Sequence, residues 1–348
     1  MKKWRLLTAT AALTLMLGAC GNDEVEDKSS EKAESAETGT PAESTGDKAA
    51  FPMTVASLTA ESETEDGSKL VFADVKLEEE PKRIITFDYG FLDTLDALGV
   101  EGIVGVAANG GKGNMPDHLK EKYAPSDAIK DMGSLKEINL EVVAAAEPDV
   151  IFISGRQAAF YEELKEITPN VVFIGSDNTD YIKGVEESVD LAANIFGKEE
   201  EAKKLKEDLE AKVNEVKEKA GQYENALVAM YNDKKISGFD DGPDSRFAYV
   251  YKDFGFKPVT SDIAASAHGS DFSYESILKV DPEVLLIIDR TDSDVEVIKK
   301  DIENDIIKKT KAYQNSKIVY LDGTNWYFSS NGITTEMEKM QEILDELK

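Results

Sequence analysis

The amino-acid sequence predicts an α/β protein with two Rossmann-like lobes, each built on a mostly parallel sheet, joined by a long spanning helix. Short apolar runs alternate with helical segments in both halves, for example KRIITFD, VIFISG and VVFIG in the first and ALVAMY, VLLIID and KIVYLD in the second. Buried strands that alternate with helices are typical of parallel sheets covered on both faces.

The chain also contains an internal repeat. NLEVVAAAEPDVIFISGR, which begins at Asn139, is echoed by SYESILKVDPEVLLIIDR, which begins at Ser273. Each copy consists of a short helix, a proline–acid turn and a strand that ends in arginine, so Arg156 is equivalent to Arg290. A unit built twice predicts two similar lobes around a shared cleft for an anion.

Between the two copies, residues 182–220 predict one long helix. Apolar residues recur there at spacings near 3.6, which corresponds to about 35 residues and on the order of 50 Å. Gly197 lies inside this stretch, and a break of the helix at this glycine is the alternative. We expect this helix to join a first lobe at residues 53–181 to a second lobe at 221–348 and to restrict lobe closure to a few degrees.

The N-terminus predicts export and lipidation. A basic start precedes an apolar run from Leu6 to Leu17, which is too short for a mature membrane-spanning helix. The run ends in Leu-Gly-Ala-Cys, similar to a bacterial lipobox, so residues 1–19 are predicted to be a lipoprotein signal peptide. Cys20, the only cysteine in the chain, is then the lipid attachment site. We expect acyl chains such as palmitate to anchor the protein at the extracytoplasmic face of the cell membrane.

Residues 20–52 predict a lipidated cysteine followed by a disordered acidic tether. The segment is rich in Asp, Glu, Ser, Thr, Ala and Lys, and it cannot bury enough apolar surface to fold. The whole chain has a formal net charge of −29. Nucleic acid and anionic lipid headgroups are therefore not expected as partners, and any anionic ligand needs a local cluster of arginines.

Arg156, Arg246 and Arg290 are the candidate ligand-binding cations. Arg156 and Arg290 each follow an apolar strand, where ligands of open α/β sheets bind, and Arg246 lies where a Gly-Pro-Asp turn leads into a helix. A guanidinium donates to oxygen anions in bidentate fashion. The alternative is that each caps a strand end or pairs with an acid such as Asp289.

Two further groups of residues have both a structural and a functional interpretation. His268 in a loop and the pair Trp326 and Tyr327 are candidate cleft residues, or else ordinary loop and lobe-edge residues; the other histidine, His118, is predicted at the surface. Glu141 and Glu275 lie at equivalent positions of the repeat, two residues after a plausible N-cap, where a carboxylate favourably meets the helix dipole. Two matching exposed acids would also make a docking pair.

Motifs for enzymes are absent from the sequence. It contains no His-Glu-x-x-His, Gly-x-Ser-x-Gly or phosphate-loop lysine motif, and no cysteine besides Cys20. Because the chain has two histidines, a zinc- or manganese-scavenging site is not expected. We therefore expect a binding protein, not an enzyme, and no intrinsic cofactor.

These segments resemble the helical-backbone substrate-binding lipoproteins of ferric-siderophore ABC importers, especially the branch that binds ferric catecholates such as petrobactin. The resemblance extends over nearly the whole chain from about Lys82. It includes KRIITFDYGFLDTLDALGV, MGSLKEINLE and KIVYLDGTNWYFSSNG, while SGRQ, SRF, HG, DR and WY are specific to the catecholate branch.

The resemblance implies an extracytoplasmic solute-binding lipoprotein, a monomer that delivers a ferric catecholate to an ABC permease dimer with its ATPase for iron uptake. It implies that the three arginines hold the catecholate oxygens, with Trp326 also in the ligand-binding set. His268 and Tyr327 would complete the coordination of Fe(III) when the siderophore leaves two positions open. Glu141 and Glu275 would dock on arginines of the permease.

Two other functions stay open. A related protein of the same fold can carry haem or a corrinoid, neither of which needs three arginines. A surface adhesin or an enzyme on this scaffold would instead show an additional exposed apolar patch or a catalytic pair in the cleft, and the sequence shows neither.

Overall fold

The computed structural model describes residues 49–63, 69–111, 113–175, 180–264, 266–291 and 293–348. The predicted signal peptide, Cys20 and the tether up to residue 48 lie outside these residues. No helix in the described part of the chain has both the length and the apolar character needed to cross a bilayer.

Two small antiparallel strand pairs precede the lobes. β1 (Met53–Val55) pairs with β4 (Val75–Leu77), and β2 (Glu61–Glu63) pairs with β3 (Lys69–Val71). Val55, Val75 and Leu77 turn inward and join the core, which fits the loose alternation of apolar residues in this segment.

The first lobe is built on a five-stranded sheet in which every pairing is parallel. Its strands are β5 (Ile84–Thr86), β6 (Ile103–Val106), β7 (Lys130–Asp131), β8 (Val150–Ile153) and β9 (Val171–Phe173), in the order β7-β6-β5-β8-β9. Its helices are α1 (Tyr89–Ala97), α2 (Asp117–Lys120), α3 (Leu140–Ala145) and α4 (Tyr161–Ile167). The central strands β5 and β8 are buried along their whole length, as continuous apolar runs require.

The predicted single helix over residues 182–220 is wrong, because two helices occupy this region. α5 (Tyr181–Phe196) ends at Gly197, which adopts the left-handed conformation with φ 62° and ψ 48°, and α6 (Glu199–Ala220) follows. Glycine takes this conformation without a steric penalty, so it terminates helices readily. α6 has 22 residues and packs against α5. The two helices form a packed pair in place of one continuous rod.

The second lobe is built on a mixed sheet. Its strands are β10 (Ala226–Asn232), β11 (Lys235–Phe239), β12 (Ser270–Asp271), β13 (Val284–Asp289) and β14 (Ile318–Asp322), in the order β12-β11-β10-β13-β14. β10, β13 and β14 are parallel, whereas β11 is antiparallel to both its neighbours. Asp233 and Lys234 connect β10 to β11, and both have positive φ angles, as a two-residue hairpin turn demands.

The C-terminal helix ties the lobes together. The helices of this half are α7 (Ala248–Lys252), α8 (Tyr274–Val280), α9 (Val295–Ile302), α10 (Lys311–Gln314) and α11 (Ile333–Glu346). α11 packs against α1 of the first lobe as well as against α6 and β14. Asp93 of α1 accepts a hydrogen bond from the backbone N–H of Thr335, at 2.9 Å. One continuous apolar core therefore extends from β5 and β8 into β10 and β13.

Candidate ligand-binding cleft

Arg156 lies on a short 3₁₀ turn, Gly155–Phe160, that follows β8. The turn is fixed by Gln157, whose side-chain oxygen accepts from the backbone N–H of Ser154 at 3.2 Å and whose amide donates to the carbonyl of Leu135. Arg156 is half-buried, and its Nη2 donates to the backbone carbonyl of Tyr327 at 3.2 Å. This hydrogen bond crosses from the first lobe to the second.

Arg246 and Arg290 approach the same residue from the second lobe. The Arg290 guanidinium lies 4.4 Å from the centroid of the Tyr327 ring, and the Arg246 guanidinium lies 4.5 Å from it. Both contacts are cation–π interactions. The Nε of Arg246 also donates to the carbonyl of Ala267 at 3.1 Å. The three predicted arginines therefore converge on Tyr327.

A close backbone approach puts Tyr327 at this position. Tyr327 belongs to a π-helical turn, Thr324–Phe328, that follows β14. A Cβ atom on the preceding Gly323 would lie only 1.6 Å from the carbonyl oxygen of Asp289, at the end of β13. Glycine is thus required for the turn to pack beside β13, and this packing brings the Tyr327 ring next to Arg290.

The three guanidiniums have no acidic partner among the described residues. Asp289, the sequence candidate for pairing with Arg290, accepts hydrogen bonds from Thr291 and Ser293. Burial lowers the pKa of Arg246, and the positive charge of Arg156 contributes in the same direction. A cluster of cations without counter-charges can accept an anion at low cost in broken ion pairs.

Arg156, Arg290 and Tyr327 of this cluster line a cavity of about 420 Å³ between the lobes, whereas Arg246 is not among its lining residues. The first lobe contributes most of the lining: Tyr89, Asn109, Gly113, Asn114, Ser134, Leu135, Lys136, Glu137 and Arg156. The second lobe contributes Arg290, Tyr327 and Phe328. Burial raises the pKa of Tyr89 to about 12, so its hydroxyl stays protonated and donates to the carbonyl of Ala107.

The glycine-rich run at residues 109–113 predicts a loop at the rim of the cleft, and Asn109 and Gly113 do line the cavity, whereas the sequence did not indicate Asn114, Ser134, Lys136 and Glu137. Asn109 sits on the glycine-rich loop, and this loop is held by Asp131, which accepts from the backbone N–H groups of Ala108, Gly110 and Gly133. The arginine count of the chain is an independent indication of the cluster itself. The chain has five arginines, of which one lies in the predicted signal peptide, and Arg83 donates to the carbonyls of Ala146 and Glu147. The other three meet at the cleft.

The prediction that Trp326 contacts the ligand is contradicted by its position. Trp326 is 0% exposed and packs among Phe247, Tyr249 and Phe254, on the core side of the turn. Its indole N–H donates to Glu342 at 2.7 Å. Consecutive side chains of the turn point in different directions, so Tyr327 lines the cavity and Trp326 packs in the core.

The two histidines have different surroundings. His268 is exposed on a loop, next to the Ala267 carbonyl that binds Arg246, and it does not line the cavity. His118 was predicted at the surface, yet its ring lies between Asp93, at 3.0 Å, and Glu338, at 3.5 Å. Within the described ranges, no group of three or more histidine, cysteine or acidic side chains is arranged to hold a metal ion.

Glu141 and Glu275 lie in the first turns of α3 and α8 and are exposed. The predicted N-caps are present, because Asn139 accepts from the backbone N–H of Val142 and Ser273 accepts from that of Ser276. The repeat thus produces the same local structure in both lobes.

Comparison with known proteins identifies the family to which this architecture belongs. Residues 84–324 match the family described as periplasmic binding protein. The petrobactin-binding protein YclQ of Bacillus subtilis is 31% identical over 354 residues, which covers 100% of both chains. The crystal structure of YclQ has a TM-score of 0.71 at 34% identity and covers 79% of this chain and 95% of YclQ.

Two other relatives also align over most of this chain. The ferric-anguibactin-binding protein FatB of Vibrio anguillarum is 33% identical over 262 residues, 73% of this chain and 79% of FatB. The crystal structure of the periplasmic catecholate-siderophore binding protein VctP from Vibrio cholerae has a TM-score of 0.68 at 27% identity, covering 81% of this chain and 98% of VctP. Because the family match spans both sheets and YclQ aligns over the full length, the chain belongs to the periplasmic binding protein family.

Proposed function

We propose that this protein is a lipid-anchored, extracytoplasmic solute-binding protein that captures a ferric catecholate siderophore and delivers it to an ABC permease. The observation that carries the proposal is the convergence of Arg156, Arg246 and Arg290 on Tyr327 without an acidic partner among the described residues. The relatives that bind petrobactin, ferric anguibactin and catecholate siderophores support the ligand class. The protein catalyses no reaction.

Charge complementarity supports this ligand. A ferric tris-catecholate is a trianion, and three guanidiniums oppose it charge for charge in a partly desolvated cleft. Phenolate oxygens are hard ligands that suit Fe(III), so the metal arrives inside its chelator, and the protein supplies iron ligands only where the chelator leaves positions open. Haem and corrinoids do not require three clustered cations.

Titration of the full-length protein with ferric catecholate, haem and a corrinoid tests the ligand class. We expect binding of ferric catecholate only, with affinity falling roughly 30- to 5,000-fold when Arg156, Arg246 or Arg290 is replaced by alanine. Arg83→Ala serves as the matched control, since Arg83 lies outside the cleft. Unchanged affinity in all three cleft variants, or preferential binding of haem or the corrinoid, would contradict the proposal.

Direct coordination of iron by His268 and Tyr327 is a further part of the proposal. The guanidiniums of Arg246 and Arg290 lie against the Tyr327 ring, and the loop that carries His268 is linked to the cluster through Arg246. A chelator that leaves two iron positions open should gain a tyrosinate-to-iron absorption band on binding. The band should disappear in Tyr327→Phe and shift in His268→Ala, whereas identical spectra in all three proteins would exclude coordination.

Lobe closure should be limited to a few degrees, because α11 and one continuous core bridge the two sheets. Crystals grown with and without ligand test this expectation, and a wide rotation of the lobes would contradict it. Glu141 and Glu275 are proposed to dock on the permease dimer, and Cys20 is proposed to carry the lipid anchor of a monomeric protein. Charge reversal at Glu141 and Glu275 should abolish uptake while ligand affinity stays unchanged.

A further inference from the structure

A segment outside the family match packs against residues that adjoin the turn carrying Arg156. The match begins at residue 84, and residues 57–63 and 69–73, which we call the N-terminal strap, precede it. The backbone N–H of Leu58 donates to the carbonyl of Phe173 at 3.0 Å, and the hydroxyl of Ser57 accepts from the N–H of Phe173 at 3.0 Å. The hydroxyl of Thr59 donates to the carbonyl of Gly175 at 2.7 Å. The strap therefore adds to β9, the outer strand of the first sheet.

Phe72 anchors the other arm of the strap. It is 3% exposed, its ring stacks on Phe173 with centroids 3.9 Å apart, and it meets the ring of Tyr161 edge-on at 5.0 Å. The hydroxyl of Tyr161 accepts from the backbone N–H of Ala73 at 3.0 Å. The neighbouring Val71 points outward and is 64% exposed. Within β3 and its continuation, the contact with the lobe thus comes from Phe72 and Ala73.

Phe173 and Tyr161, the two residues against which the strap packs, adjoin the segment that carries Arg156. Phe173 pairs with Ile153, the last residue of β8, and a Cβ atom on Gly175 would lie 3.6 Å from the backbone nitrogen of Gly155. On the other side, Tyr161 directly follows the 3₁₀ turn on which Arg156 lies. The strap thus braces the turn at its beginning and at its end.

Covering the edge of the sheet explains only part of this arrangement. The backbone and hydroxyl contacts of residues 57–59 are sufficient to protect β9 from pairing with another chain. Phe72 and Ala73 also contact Tyr161, which is not part of β9 and directly follows the arginine-bearing turn. A binding constellation keeps its geometry only when surrounding residues lock the side chains that form it.

We propose that the N-terminal strap positions Arg156 for the ligand, with Phe72 as the positioning residue. The inference rests on the proposed function, since it concerns the affinity for the same anion. Without Phe72, the turn can relax toward the space that the ring vacates, and the Arg156 guanidinium leaves its place beside Tyr327.

A double-mutant cycle between Phe72 and Arg156 tests the proposal in the full-length protein. Phe72→Ala should weaken binding of a ferric catecholate roughly tenfold, within the range of coupled neighbours. In the Arg156→Ala background, the same substitution should cause no further loss, because the arginine that it misplaces is gone. Val71→Ala, the exposed neighbour, should leave affinity unchanged in both backgrounds. Phe72→Leu, which keeps most of the buried volume, replaces Phe72→Ala if that variant does not fold.

The outcomes separate the inference from the function on which it rests. Equal losses of affinity from Phe72→Ala with and without Arg156 would overturn the inference, because a general weakening of the fold acts additively. Unchanged affinity in folded Phe72 variants would overturn it as well. Failure of the unmodified protein to bind ferric catecholate would overturn the proposed function, and the inference with it.

Discussion

The arginines of the cleft and the buried lysine behind them differ in whether a carboxylate pairs with the positive charge. Lys339 of α11 is 0% exposed, and its Nζ lies 2.6 Å from the carboxylate of Glu336, which is equally buried. The Glu336 carboxylate also accepts from the hydroxyl of Tyr181 at 2.6 Å. Arg246 and its two companions in the cleft have no such carboxylate among the described residues.

One aromatic layer separates the two sets of charges. Lys339 lies 5.7 Å from the ring centroid of Trp326, and Trp326 directly precedes Tyr327, around which the arginines gather. In a chain with net charge −29, acids are abundant, and Glu137 lines the same cavity, so the lack of an ion pair to the arginines among the described residues is a specific feature of the cleft. The contrast indicates that Lys339 serves the fold, whereas the arginines are left for an external anion.

Replacement of Lys339 by methionine should have the largest effect on stability. It leaves the buried Glu336 carboxylate without its cation, which costs about 3–5 kcal/mol in the free energy of unfolding. Denaturant titration measures this loss, and the ligand affinity of the folded protein should not change. A second substitution, Glu336→Gln, should recover part of the loss because it removes the unpaired charge.

Lys299→Met is the matched control for this prediction. Lys299 forms the same kind of pair with Glu296, at 3.0 Å and with i,i+3 spacing, but on the exposed helix α9. An exposed pair contributes at most about 1 kcal/mol. Equal losses from Lys339→Met and Lys299→Met would remove the distinction between buried and exposed charges on which the comparison depends.

Arg246→Ala should reduce ligand affinity and leave stability nearly unchanged, the reverse of Lys339→Met. Affinity for ferric catecholate should fall by about 2–5 kcal/mol, since a desolvated charge pair with the ligand is lost. The unfolding free energy without ligand should change by less than about 1 kcal/mol. The variant loses the cation–π contact with Tyr327, but it no longer pays the cost of burying an unpaired guanidinium, and the two effects offset each other. Calorimetric titration and denaturant unfolding of the same variant separate the two quantities. A large loss of stability would mean that Arg246 is a structural cation like Lys339.

The sequence predicted the cleft better than the layer behind it. The fold class is confirmed, and the strand-ending arginines of the repeat do converge, since each follows the carboxyl end of a strand in its own sheet, where such sheets bind ligands. Glu336 and Lys339 could not be recognised as buried, since charged residues in an amphipathic terminal helix have the pattern of a solvent-facing side. Only tertiary contact with Tyr181 identifies their role.

Three local errors have equally local causes. The helix break at Gly197 was visible as a glycine, but the apolar period continues through it and hides the turn. Trp326 and Tyr327 are adjacent, and no pattern indicates which side of a π-helical turn faces the cavity. The antiparallel β11 was missed because its hairpin turn, Asp233-Lys234, lacks the glycine that marks most turns of this type. The boundaries of the two lobes stay a prediction.

Glu342 extends the comparison to a half-buried acid without a cation. It accepts from the indole of Trp326 at 2.7 Å and from the backbone N–H of Asp322 at 2.9 Å, and no described lysine or arginine pairs with it. Burial raises the pKa of Glu342 to about 7. The folded state then binds a proton that the unfolded state has released, so stability falls as pH rises from about 4.5 to about 7.

We expect this loss to be about 2–3 kcal/mol, measured as the difference in unfolding free energy between pH 5 and pH 8. Glu342→Gln keeps the acceptor oxygen and cannot ionise, so its stability should vary less over the same range and exceed that of the unmodified protein at pH 8. An equally steep profile in the variant would assign the dependence to other groups.

His118 gives the smallest expected effect and tests whether a paired cation also joins the lobes. Its ring bridges Asp93 of α1 and Glu338 of α11, and the hydrogen bond to Asp93, followed by that to Glu338, raises the pKa of His118 to about 10. Because the folded pKa exceeds the unfolded value, the stabilisation is complete below about pH 6.5 and is lost as pH rises through about 10.

We expect His118→Gln to reduce the unfolding free energy at pH 7 by about 1 kcal/mol, a modest value since water partly screens the pair. At pH above 10 the variant and the unmodified protein should be equally stable. A proton titration of the His118 ring by NMR measures its pKa directly, and a midpoint near 6.5 would show that the contacts of His118 with Asp93 and Glu338 are not ion pairs at pH 7. If the variant in addition allows the lobes to rotate apart in crystals, then paired charges at the junction, and not the apolar core alone, hold the cleft in its preformed shape.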